Sequence, residues 1–170
     1  MVLKDLIMIK LNRINELIEY NQHTGGLTWK VGYCKKIVAG RAAGCTVDGY
    51  VMVGLDGLKI RGHRLAWMCH YGIIPVGDID HINGNTLDNR IVNLRDVSAA
   101  ENNKNQRMPK SNTSGFMGVC YYKPNGKWRV KVKSKGVCHH GGYFEDINKA
   151  NEAAIKLREG LGFHKNHGRK

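Results

Sequence analysis

The chain has 170 residues, room for one ordinary domain or two very small ones, and a formal net charge of +13 at pH 7. So basic a chain favours an anionic partner, either nucleic acid or an acidic membrane surface. No apolar run is long enough to cross a bilayer, and Lys4, Asp5 and Lys10 interrupt the apolar N-terminal residues Leu3, Leu6 and Ile7, so neither a membrane span nor a secretory signal is expected.

In chain order, Leu3, Leu6, Ile7, Leu11, Ile14, Leu17 and Ile18 recur at helical spacing and predict a helix over 3–20. A turn at His23-Thr24-Gly25-Gly26 leads to a short strand at Leu27–Val31. The Gly-rich segment 32–49 carries no readable period. Tyr50–Leu55 and Leu58–Arg61, split by Asp56-Gly57, read as a β-hairpin. His63–Tyr71 reads as a short helix stopped by Gly72 and Pro75. Asp78–His81 is a short extended segment, Asn83–Arg90 a polar turn, and Asn93–Val97 a second short strand. Ser98 followed by Glu101 has the capping-box pattern and opens a helix to about Gln106.

Met108–Ser114 has the composition of a linker. Beyond it Phe116–Tyr122, Lys127–Ser134 and Val137–Phe144 read as three strands with turns at Pro124-Asn125-Gly126 and Lys135-Gly136. Asp146 can cap a last helix whose stripe is Ile147, Ala150, Ala154, Leu157 and Leu161. The basic tail from His164 is expected to fray. Five cysteines without a CxxC pair read as reduced thiols of a cytoplasmic protein. Cys138-His139-His140 makes a poor metal cage, because neighbours in a strand point to opposite faces.

The charge is uneven. Residues 104–170 carry 15 Lys/Arg against 4 Asp/Glu, whereas residues 1–103 carry 12 against 10. A basic binding arm joined to a carboxylate-bearing module has this asymmetry. In the latter, Asp80 offers a carboxylate, His81 an imidazole with a pKa near neutrality, and Asn102 an amide oxygen. Phosphodiester hydrolysis needs a base for water and a cation for the departing oxygen, and hard cations such as Mg²⁺ take few oxygen ligands from protein. In a regular strand Asp80 and His81 would point apart, so both can serve one phosphate only where the strand ends or twists.

Ile79-Asp80-His81-Ile82-Asn83-Gly84-Asn85, then Asp88-Asn89, Asn93-Leu94-Arg95, Asn102 and Asn105, preceded by Gly62-His63-Arg64-Leu65-Ala66-Trp67, resemble the HNH endonuclease signature. The likeness is to its phage and intron-encoded homing branch, in which the third position is commonly Asn. It covers roughly residues 20–106. The resemblance implies a ββα-metal fold with His81 as general base, Asp80 and Asn102 as metal ligands, and Asn93 holding the loop that orients His81. Asn105 is a reserve ligand on the same helix face. His63 reads as a packed or hydrogen-bonded helix residue. Arg64 and Arg95 can touch phosphate or brace the motif. Asn83, Gly84, Asn85, Asp88 and Asn89 read as loop-shaping.

In the basic part, Trp128, Val130 and Val132 alternate with Arg129, Lys131 and Lys133. The first set can pack on the last helix. The second is left exposed, at about 7 Å spacing, to follow a phosphate backbone. Ser114-Gly115-Phe116-Met117-Gly118-Val119, Lys127-Trp128-Arg129-Val130 and Gly142-Tyr143-Phe144 with the final helix resemble the apetala/ethylene-response-factor DNA-binding domain. That resemblance implies DNA binding by the exposed sheet face, including Tyr122, Arg129, Lys131, Lys133 and His140. Cys120 and His140 depart from the plant pattern.

Together these readings describe an α+β protein: a ββα-metal nuclease module followed by a three-stranded antiparallel sheet packed on one helix. The expected boundaries are 1–107 for the nuclease domain with its N-terminal helix and hairpin, 108–114 for the linker, 115–163 for the apetala-type domain and 164–170 for the basic tail. The expected function is site-specific hydrolysis of double-stranded DNA with Mg²⁺, or Mn²⁺ in its place. No membrane and no small-molecule substrate are involved, and the protein acts as a monomer in the cytoplasm of a bacterial host. The alternative is a non-catalytic, sequence-specific DNA-binding regulator that keeps the nuclease fold. Charge alone also admits an RNA-binding protein.

Overall fold

A computed structural model describes residues 11–32 and 37–169. The chain forms two compact units that divide between Ser98 and Ala99. Every strand pairing in both units is antiparallel, and no described helix is long and apolar enough to cross a membrane.

In the first unit, residues 11–17 form a helix, α1, with Leu11, Ile14 and Leu17 buried. Residues 3–10 of the expected helix, and Cys34, lie outside the described residues. The helix does not run to Tyr20 as its period suggests. The Leu17 carbonyl accepts from the Lys30 N–H at 2.8 Å, and Ile18–Tyr20 becomes strand β1, paired with β2 at Leu27–Trp29. An apolar residue at Ile18 suits either element, and the pairing with Trp29 decides it.

Cys45–Val47, β3, is a strand with no readable sequence signal. It lies beside β4, Tyr50–Leu55, which pairs with β5, Leu58–Arg61. The β4–β5 turn has positive φ at both Asp56 and Gly57, the combination a tight two-residue hairpin requires. Helix α2, Gly62–Tyr71, follows directly and stops at a left-handed Gly72. Its residues Leu65 and Met68 enter the main core with Trp29, Val53 and Leu55. Ala66 instead packs on Ile79 and Leu94. These belong to β6, Asp78–His81, and β7, Leu94–Val97, so α2 is the platform for the β6–β7 hairpin.

In the second unit, helix α3, Ala99–Asn102, is shorter than the expected run to Gln106. It tightens into a 3-10 turn at Asn103–Asn105, and Gln106 is extended. The asparagine-rich run is a poor helix former. Strand β8 begins at Val119, not Phe116. The Ser114 hydroxyl bonds the carbonyls of Phe116 and Val119 and closes the preceding residues into a turn. β8, Val119–Tyr122, pairs with β9, Lys127–Ser134, and β9 with β10, Val137–Phe144.

Helix α4, Ile147–Gly160, starts at Asp146, whose carboxylate accepts from the N–H groups of Asn148 and Lys149. It lays Ala150 and Ala154 on Val119 and Val130, flanked by Trp128 and Phe144. The approach is close: a Cβ on Gly141 would meet Val130 Cγ1 at 2.5 Å, at a bulge in β10. The tail is ordered where fraying was expected. The His164 N–H reaches Lys104 O at 3.0 Å, the Gly168 N–H reaches Gln106 O at 2.8 Å, and Arg169 O accepts from the Met108 N–H at 2.9 Å. The neighbouring segment 104–108 supplies the partners that a free basic tail would lack.

Candidate active site

The loop between β6 and β7 is held by its own polar side chains. Asn83 Oδ1 accepts from the Asn85 N–H, and Asn85 Oδ1 from the Leu87 N–H, closing consecutive turns. Arg90 grips Asp88 through Nε and Nη2, each at 2.7 Å, and holds that carboxyl down at about 2. Asn93 spans the loop. Its Oδ1 accepts from the Asn83 N–H at 2.9 Å and its Nδ2 donates to the Asp88 carbonyl at 2.8 Å. Both ends of the carboxamide are thus used on backbone groups, which fixes the chain immediately after His81.

His81 is the last residue of β6 and is buried. Its Nε2 lies 3.1 Å from Asn89 Oδ1. An amide oxygen only accepts, so this pairing puts the ring proton on Nε2 and the lone pair on Nδ1. Burial pushes the imidazole pKa below the usual histidine value, against the opposing pull of Asn89 and of the Asp80 and Asp88 charges. The ring is therefore neutral at neutral pH and able to take a proton. Asn89 is itself clamped. It is buried, and its carbonyl accepts from the Tyr20 hydroxyl at 2.8 Å.

His63 of α2 stands edge-on to His81, with ring centroids 5.0 Å apart, and Tyr50 packs against both rings, 5.7 Å from His63 and 6.4 Å from His81. Burial, then the neighbouring His81, Arg61 and Arg64, bring its pKa down to about 3. It is a neutral packing partner of His81. Arg64 braces the approach to β6, donating to the carbonyls of Gly77 and Pro75.

Asp80 is buried beside His81 in sequence and faces its cross-strand partner Arg95. Arg95 Nε and Nη2 reach Asp80 Oδ2 at 2.9 and 2.7 Å. Among the described residues no group of three or more His, Cys, Asp or Glu could cage a metal. The Asp80 carboxylate, whose charge acts on His81, is an oxygen donor of the kind a hard cation accepts while drawing most of its shell from water and phosphate. Asn102 ends α3 in the second unit.

In the sequence Asn89 reads only as a loop-shaping residue. Its type and position carry no sign that it is buried against His81; only the folded loop brings the two together.

In the second unit, Arg129, Lys131 and Lys133 alternate with buried Val130, Val132 and Ser134 along β9. Lys131 pairs with exposed His140 in the neighbouring strand. The Arg129 guanidinium lies 4.9 Å over the Tyr122 ring, which also meets Tyr143 at 5.5 Å. Tyr143 was not singled out from sequence, although it stands opposite Arg129 in the register.

Residues 61–104 match the HNH endonuclease family. The match contains Asp80, His81, Asn93 and Asn102 and runs in sequence from α2 through α3. A curated relative, protein 3.8 of Escherichia phage T7, is 42% identical over 81 residues, which span 47% of this chain and 67% of that protein. No solved structure matches the chain. The chain belongs to the family of this phage protein and carries an HNH endonuclease domain at residues 61–104.

Proposed function

We propose that the protein is a metal-dependent endonuclease that hydrolyses phosphodiester bonds of double-stranded DNA, in the manner of a phage homing endonuclease. The observation that carries this reading is His81: a neutral, buried imidazole at a strand end, with its tautomer set by Asn89, inside a matched HNH domain. His81 takes the proton from the attacking water on Nδ1. Asn93 and Asn89 hold the ring so that this lone pair keeps its direction. Asp80 and Asn102 would hold a divalent cation, Mg²⁺ or Mn²⁺. When bound, such an ion neutralises charge on the phosphate and the departing 3′ oxygen. Arg95 keeps the Asp80 carboxylate in place from the adjacent strand.

The basic sheet is the proposed DNA-binding element, an apetala-type face formed by Tyr122, Arg129, Lys131, Lys133 and His140. The setting is the cytoplasm of an infected bacterium, with the protein acting as a monomer. The test is cleavage mapping on candidate host and phage DNA with Mg²⁺, run beside His81→Ala. Loss of a general base lowers the rate by about 10²–10⁴-fold, and duplex affinity should stay nearly unchanged. A wild-type protein that binds duplex DNA but cuts none with either metal is instead the non-catalytic regulator. Preference for RNA over duplex DNA in competition would overturn both readings.

A further inference from the structure

The second unit contains a cavity of about 320 Å³ beside the second half of β9. β8 pairs only with Lys127–Val130, so past the bond from the Lys131 N–H to Gly118 O this edge of β9 has no strand next to it among the described residues. Lys131, Lys133, Arg158, His167, Asn103 and Gln106 contribute to the lining, and no carboxylate does.

Arg158 is the unusual member. It sits in the last turn of α4 and is nine-tenths buried. Its Nη1 is enclosed with no hydrogen-bond partner, and none of the ion pairs among the described residues includes it. His167, on the same cavity, likewise has an enclosed Nδ1 without a partner. A buried lysine could shed its proton, but a guanidinium cannot, so the charge stays. A buried unpaired charge is strongly unfavourable unless an anion meets it. The planar fork of arginine matches a tetrahedral oxyanion. The surroundings select for such an ion, since residues 104–170 carry 15 Lys/Arg against 4 Asp/Glu.

We propose that this cavity is a phosphate-binding site anchored by Arg158 that takes a backbone phosphate of a nucleic acid. The site rests on Arg158 of α4 and holds one phosphate in a recess, whereas the proposed sheet face rests on the outward side chains of β9 and follows a backbone. The same chemistry would also accept free phosphate, and the test separates the two sources.

The experiment titrates the full chain with inorganic phosphate against chloride at matched ionic strength. It follows the Arg158 and His167 side-chain NMR signals and the thermal midpoint. Saturable shifts of both signals and a raised midpoint are expected, and both should vanish in Arg158→Met. That variant keeps the volume and removes an unpaired charge, so it should be no less stable than the wild type without phosphate. Should it fail to fold, the wild-type titration decides alone. In the nucleic-acid arm, Arg158→Met should reduce the slope of log affinity for duplex DNA against log salt by about one unit. An unchanged slope beside clear phosphate binding supports the site with free phosphate as its ligand. No saturable response of the wild type to phosphate would overturn the proposal.

Discussion

Acidification should unfold the first unit through His63. Its pKa is about 3 in the fold and 6.5 as a free side chain. Between those values the unfolded chain binds more protons than the native one, so stability falls as pH falls. The loss starts as pH drops through 6.5 and continues towards 3. Between pH 7 and pH 5 this one group removes about 2 kcal/mol of stability. His81 acts in the same direction, since burial lowers its pKa as well. The comparison is urea unfolding at the two pH values, followed by tryptophan fluorescence in the presence of a chelator. His63→Phe keeps an aromatic ring against Tyr50 and His81 but cannot titrate. It should show a pH 7 to pH 5 loss smaller than the wild type's by about 2 kcal/mol. If the variant loses as much stability as the wild type, the buried neutral state of His63 is wrong.

Asn93→Ala removes both clamps across the β6–β7 loop. Exposed Asn83 can turn to water, so the stability loss should be only about 1–2 kcal/mol, while cleavage collapses and duplex affinity holds; unchanged cleavage would show that His81 needs no such anchor. Asp146→Ala deletes the cap of α4 and should lower the stability of the second unit by about 1 kcal/mol, with Asp146→Asn restoring most of it. Thermal unfolding measures that difference.

The parts of the fold that were legible in the sequence rest on short-range rules. Asp56-Gly57 announces the β4–β5 hairpin because few residue pairs accept two positive φ angles. Alternation along Trp128–Lys133 separates the α4-facing side of β9 from the exposed side, and Asp146 marks the start of α4. The misreadings fall where two local states were equally suitable. Ile18 and Tyr20 continue a helical stripe as well as they fill a strand. Cys45–Val47 has no period of its own and is a strand because β4 offers an edge. The tail is basic and polar, yet segment 104–108 holds it.

The candidate site divides in the same way. The order Asp80, His81, Asn93, Asn102 is visible in the sequence, because chemistry constrains residue type and spacing. The partners of those residues are not visible. Asn89 reaches His81 across eight positions, His63 arrives from α2, and Arg95 faces Asp80 only through the β6–β7 register. Composition, turns, caps and strand alternation were determined by the sequence itself, since each depends on neighbours a few positions away. Tertiary structure alone decided which imidazoles are neutral, which tautomer His81 adopts and that Arg158 is buried without a counter-ion among the described residues. Desolvation depends on what distant segments pack around a group, and no local pattern of residues records that.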